Sequence, residues 1–135
     1  MKTTAQEIQK AKEALIQSHI VNDMNKTYPS TFNGYISSFG ASLVLAGLLP
    51  TVVFFERPDS GAEEERDKVI NALKKMMDIA DNVKMAAYIL EKENDKSIRR
   101  CDDPVFVKLV VQNMTAMKLA LRLFEKQKEN NNGKQ

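Results

Sequence analysis

The sequence predicts an all-α fold, a compact bundle of four to six helices with a bent central hairpin. Three observations predict it. Apolar residues recur at three- and four-residue spacing along several stretches. Helix-start signals precede those stretches. No stretch alternates apolar and polar residues at a two-residue period, and no two-residue hairpin turn separates such stretches.

The first helix is expected to start at Thr4, where Thr4-Ala5-Gln6-Glu7 has the form of a capping box. Ile8, Ala11, Leu15, Ser18, His19 and Asn22 fall on one face, and the helix is expected to run to about Met24, ahead of Tyr28-Pro29. Pro29-Ser30-Thr31 marks a second start. Phe32, Tyr35, Ile36, Phe39, Leu43, Ala46 and Leu49 carry the helical period onward. Pro50 then makes either a kink or the first turn of a new short helix through Phe55. Gly40 and Gly47 are expected to let neighbouring helices approach closely.

Arg57 to Gly61 reads as a loop. Ser60 and Glu63 form another capping pattern, with Glu63, Glu64 and Glu65 in the first turns, where the helix dipole favours negative charge. Val69, Leu73, Met76, Met77, Ala80, Val83, Ala87 and Leu90 form the next stripe. Lys84 intrudes on it, either as a snorkelling stem or because the helix breaks at Asp81-Asn82, and the break is favoured. The charged stretch from Glu91 to Arg100 is a loop or a frayed end. Asp102, Asp103 and Pro104 then cap a last helix reaching to about Lys126. Its expected buried arc holds Val105, Phe106, Leu109, Val110, Ala116, Met117, Ala120, Leu121, Leu123 and Phe124. Residues 1–126 are expected to form one helical domain, with 127–135 a disordered polar tail.

Composition narrows the function classes. The 135 residues carry 20 Lys plus Arg against 18 Asp plus Glu, a net charge of +2, so nucleic-acid binding would have to come from a local patch. One cysteine and one histidine exclude an intrachain disulfide and a Cys/His zinc site, and fit a reducing cytoplasm. The N-terminus has no apolar signal segment. The apolar run from Leu43 to Phe55 is interrupted and too short to cross a bilayer, so no membrane role is expected. No metalloprotease, nucleophile-elbow, phosphate-loop or CxxC motif is present, and no cofactor is expected.

The remaining chemical groups have structural readings. His19 and Asp23 are four apart and can touch, but His19 reads as a core histidine. Asp78 and Asp81 read as a solvated face or cap, and Asp102 and Asp103 as caps. Cys101 beside Arg99 and Arg100 could have a lowered pKa but has no partner base. The methionines at helical spacing read as core rather than as an adaptable peptide groove.

Basic charge gathers on the last helix. At about 100° per residue, Lys108, Thr115, Lys118, Arg122 and Lys126 lie within about 80° of one another and outside the apolar arc. They would form a ridge about 27 Å long. Arg99 and Arg100 precede the helix and extend the patch, while Glu125 and Glu129 lie near its lower end. No aromatic residue interleaves with the cations. Binding is therefore expected to follow the phosphodiester backbone, without sequence preference and with strong salt dependence.

The chain also resembles a known family, the small helical subunit of the type III-B CRISPR effector, the Cmr ribonucleoprotein complex. The likeness rests on its size and helical pattern and on two segments. Tyr35-Ile36-Ser37-Ser38-Phe39 leads to Ala46-Gly47-Leu48-Leu49-Pro50-Thr51-Val52-Val53-Phe54-Phe55. This is similar to the family's aromatic start, Gly-Leu step and small-apolar-Phe run. Arg99-Arg100 precedes a helix ending in Leu121-Arg122-Leu123-Phe124, similar to the family's basic-then-Phe ending. The chain differs in having Gly40 where a proline is common, and in lacking tryptophan.

The resemblance implies a non-catalytic scaffold for antiviral defence. Its copies would stack along the complex, line the channel of the guide RNA–target RNA duplex, and touch the backbone and large subunits. Only Arg122 carries over from the family by position; Lys108 and Lys118 come from helical geometry. Single-stranded DNA is a further candidate ligand. Two other readings compete. One is a helical adaptor that binds only protein. The other is a small helical enzyme, which would need a second titratable group beside His19 in a cleft.

Overall fold

The computed structural model describes residues 2–57 and 65–128. Six α-helices carry the fold among these residues: α1 Ala5–Gln17, α2 Thr31–Ala46, α3 Leu48–Glu56, α4 Asp67–Met76, α5 Met85–Leu90 and α6 Pro104–Leu121. The fold is the expected compact all-α bundle. The expected cap at Ser60 and Glu63, and most of the expected polar tail, lie outside the described residues.

Helix α6 is the centre of the packing. It meets α1, α2 and α4, and its pairing with α1 is the most extensive in the protein. Small residues make that approach possible. Ala11 and Ala14 on α1, and Ala116 and Ala120 on α6, are at most 2% exposed. Without bulk at these positions the larger side chains around them, Leu15, Met117 and Leu121, close over the contact. On the other side α2 and α3 bring Phe39 and Phe55 edge to face, with ring centroids 5.2 Å apart.

The caps read from the sequence form as expected at two helices. Thr4 accepts from Glu7 N, and the Glu7 carboxylate accepts from Thr4 N at 2.8 Å. Asp103 accepts from Val105 N at 2.9 Å, and Pro104 occupies the first turn. Pro50 lies in the first turn of α3, so the central segment bends between two helices. Gly47 makes the bend at φ 95°, where a side chain would be strained.

Several expectations are corrected. Helix α1 ends at Gln17 rather than near Met24. His19 takes a left-handed conformation, φ 67°, and Ile20 and Val21 both donate back to Leu15 O. This turn buries two consecutive apolar residues, Ile20 and Val21, each 1% exposed. His19 itself is exposed and is not a core histidine.

Helix α6 ends at Leu121 rather than near Lys126. Residues 125–126 instead form a short parallel pair, β2 (Glu125–Lys126), with β1 (Thr27–Tyr28), extended by Gln127 N donating to Tyr28 O at 2.8 Å. The buried arc of α6 is correspondingly narrower than expected: Val105, Leu109 and Leu123 are exposed, while Met114 is buried. Gly40 holds no close helix contact either, since a Cβ added there would meet nothing within 4 Å. A mid-helix glycine costs about 0.5–1 kcal/mol relative to alanine.

The break favoured at Asp81-Asn82 is present but wider, spanning 77–84, and neither residue caps the next helix, which starts at Met85 after Lys84; Lys74 holds the connection. Helix α4 ends at Met76, and Asp78 takes φ 60°. Lys74 is only 4% exposed. Its ammonium donates to Asp81 O at 3.0 Å and Val83 O at 2.7 Å, so a buried cation collects the carbonyls of the connecting loop. The break resets the register: Met85 and Ile89 are buried, and Ala80 and Ala87 are exposed. Glu56, at the end of α3, accepts from Met85 N and from Ala86 N at 2.9 Å, which caps α5 from outside.

Lys74→Ala is therefore expected to lower unfolding stability by about 2–3 kcal/mol in urea titrations, because two carbonyls lose a charged donor. Lys75→Ala removes only the exposed pair with Asp81 and is expected to change it by about 0.5 kcal/mol or less.

Candidate nucleic-acid interface

Helix α6 buries one arc against α1, α2 and α4, so its other arc is left outward. Lys108, Thr115 and Lys118 lie on that outward arc and are exposed. From Lys108 to Lys118 the row is about 15 Å long at 1.5 Å per residue. Arg122 follows as the helix cap with φ −67° and ψ −15°. Helical backbone angles keep its side chain in the direction of the row, and its charge suits the helix C-terminus. Among the described residues, none of Lys108, Lys118 and Arg122 has a carboxylate partner.

The structure adds one cation that the sequence did not point to. Lys2 and Thr3 lie beside Lys108, Gln112 and Thr115, with Glu7 at the edge. Glu7 is held by Thr4 in the capping box. Lys2 precedes the first helix and carries no periodic signal, so only the packing of α1 on α6 brings it to the row.

Lys126 does not continue the row. It pairs with Tyr28 in the β1–β2 ladder, off the helix. Arg99 is exposed in the loop before α6, where it forms an antiparallel bridge with Lys92. Arg100 turns inward. Its guanidinium lies 3.9 Å from the centre of the Tyr88 ring and donates to Tyr88 O at 3.0 Å, with its side chain 14% exposed. It joins α5 to the start of α6 and is not placed to meet a phosphate.

The other candidate groups are accounted for locally. Asp78 pairs with Lys10 at 3.0 Å, and Asp81 with Lys75 at 3.3 Å. Asp23 is held by Lys26 at 2.7 Å. His19 lines a shallow crevice of about 260 Å³ with Asn71, Lys75 and Asp81. The two titratable groups that face His19 there are thus already paired with each other. Burial pushes the Cys101 thiol up, and the Asp102 charge adds to it, so the thiol is not activated by the neighbouring arginines. Among the described residues no three His, Cys, Asp or Glu side chains could hold a metal ion. No described helix is long and apolar enough to cross a membrane.

Compared with family models, curated proteins and solved structures, the chain has no match.

One ion pair anchors the start of the α6 row. Lys96 Nζ lies 2.7 Å from Asp103 Oδ2, and this bond holds the Asp103 carboxyl below its ordinary range and raises the Lys96 ammonium. A depressed carboxyl contributes stability above its unfolded value near 3.8, and that contribution is lost as pH falls through the folded value. The raised ammonium loses the same bond as pH rises through a value above 10.5. Asp103→Asn is therefore expected to melt below wild type from about pH 5 to 9. Thermal melts should show the gap closing as pH falls below 3.8 and through the lower folded-state value; a gap independent of pH would mean the charge is irrelevant.

Proposed function

We propose that this chain is a non-catalytic structural subunit of an RNA-guided effector complex of the type III-B CRISPR kind, working in the cytoplasm. In this reading copies of it stack within the complex. They touch the backbone and large subunits, line the channel of the guide RNA–target RNA duplex, and hold nucleic-acid backbone, including single-stranded DNA, without sequence preference.

One observation carries the reading: a row of unpartnered cations, Lys108, Lys118 and Arg122, on the outward edge of the central helix. A row on a packed helix is pre-organised, because the helix is fixed by its buried arc and only the side chains need ordering. No aromatic ring lies along it, which favours phosphate contacts over base stacking. The likeness of the central and C-terminal segments to the Cmr small subunit supplies the biological setting.

The test is binding to uridine and mixed-sequence RNA of equal length at several salt concentrations. About three phosphate contacts to a single strand give a slope of roughly −2 in log affinity against log salt. Lys118→Glu with Arg122→Glu should weaken both RNAs about equally, by roughly tenfold or more, with the melting temperature held. Wild-type binding by this double variant would sink the proposal.

A further inference from the structure

The same face of α6 borders a second feature. A trough of about 350 Å³ runs between α2 and α6. Its floor is Ile36, Phe39 and Met114. Gly40 and Ala41 form a low wall on α2, and Val111 and Lys118 stand on α6. Val44, at the end of the α2 wall, is 84% exposed, and Leu45 beside it is 87% exposed. Exposed aliphatic residues beside an apolar trough are costly to leave in water and mark a binding surface.

We propose that this trough docks an amphipathic α-helix of a partner protein, with aliphatic side chains on the floor and an acidic side chain paired to Lys118. Charge identifies the occupant. Among the described residues, Lys118 is the single charged residue lining the trough and no carboxylate lines it, while Arg122 and Lys108 raise the positive potential along the same edge. The shape agrees. The trough is partly open to solvent rather than enclosed, and it is lined from both α2 and α6, which suits a helix laid between them better than a small ligand that must be surrounded.

Gly40 offers a handle on the trough. Its Cβ direction is empty among the described residues, as is that of Gly34, and Gly40, unlike Gly34, lines the trough, so a side chain there would enter it. This inference does not rest on the nucleic-acid reading. Gly40 and Ala41 have no phosphate-binding group, and Arg122 does not line the trough.

The probe is a labelled helical peptide with leucines at i, i+3, i+4 and i+7 and glutamates flanking them, compared with a twin carrying lysines instead. The glutamate peptide should bind wild type at least about fivefold tighter than its twin. Lys118→Glu should reverse that preference. Gly40→Leu should fill the trough and abolish binding of both peptides, with the melting temperature held or raised and RNA binding unchanged. Arg122→Glu should weaken RNA and leave the peptide bound. Amide chemical shifts at Gly40, Ala41, Val111 and Thr115 should move with the peptide.

Several results would overturn the inference. One is equal binding of the two peptides, or binding that survives Gly40→Leu. Another is Gly40→Leu weakening RNA instead of peptide, which would make the occupant a nucleic acid. A third is self-association of the wild type, seen by light scattering, that Gly40→Leu abolishes and peptide does not compete for, which would make it a second copy.

Discussion

Burial of one arc of α6 against three other helices is the constraint from which the remaining geometry follows. Val110, Ala116, Met117 and Ala120 on that arc are fully buried. A helix held in this way cannot rotate, because turning it by one residue would carry Lys118 into the buried place of Met117 and Val110 into the exposed place of Leu109. The penalty for burying an unpaired ammonium is several kilocalories per mole, and methylenes lose transfer energy in the same turn. The fixed rotation decides which side chains of α6 face outward and sets the cationic edge as a rigid element.

Around this centre, charged side chains hold the connections. Lys74 gathers the carbonyls of the loop from α4 to α5, Glu56 caps α5, and Lys96 steadies the Asp103 cap of α6. Lys74 and Glu56 place a charge where the backbone leaves unpaired acceptors or donors, and Lys96 holds the carboxylate that does so at α6. The apolar core supplies burial, and these contacts supply direction. They explain how a chain with short helices such as α5 keeps defined turns between them.

The outward edge of α6 therefore has two neighbours with different chemistry. Along the helix it offers cations without partners. Across the gap to α2 it offers an apolar trough whose one charge is Lys118. A phosphate chain and an acidic helix would meet the edge at the same lysine, so such ligands would compete there, while Arg122 and Gly40 separate their effects.

Much of this was legible from the residues alone, because helical periodicity and capping are local. Thr4 to Glu7 and Asp103-Pro104 announced two helix starts, and Lys108, Lys118 and Arg122 were placed on one side by 100° steps. The all-α class followed from the same periodicity.

What local pattern could not decide was where helices stop when distant groups intervene. His19 turns left-handed because Ile20 and Val21 gain burial in a core assembled by other helices. Residues 125–126 leave the helix to pair with 27–28, a hundred positions earlier in the chain, and so remove Lys126 from the row. Arg100 looked like surface charge until Tyr88 came beneath it, and Lys2 and the open side of Gly40 acquired meaning only when α1 and α2 were docked on α6. The sequence determined the class of the fold and one cationic stripe, through interactions within a few residues. Tertiary packing determined the length of that stripe, its neighbours and the trough beside it, because burial and pairing between distant segments outweigh local helix preference.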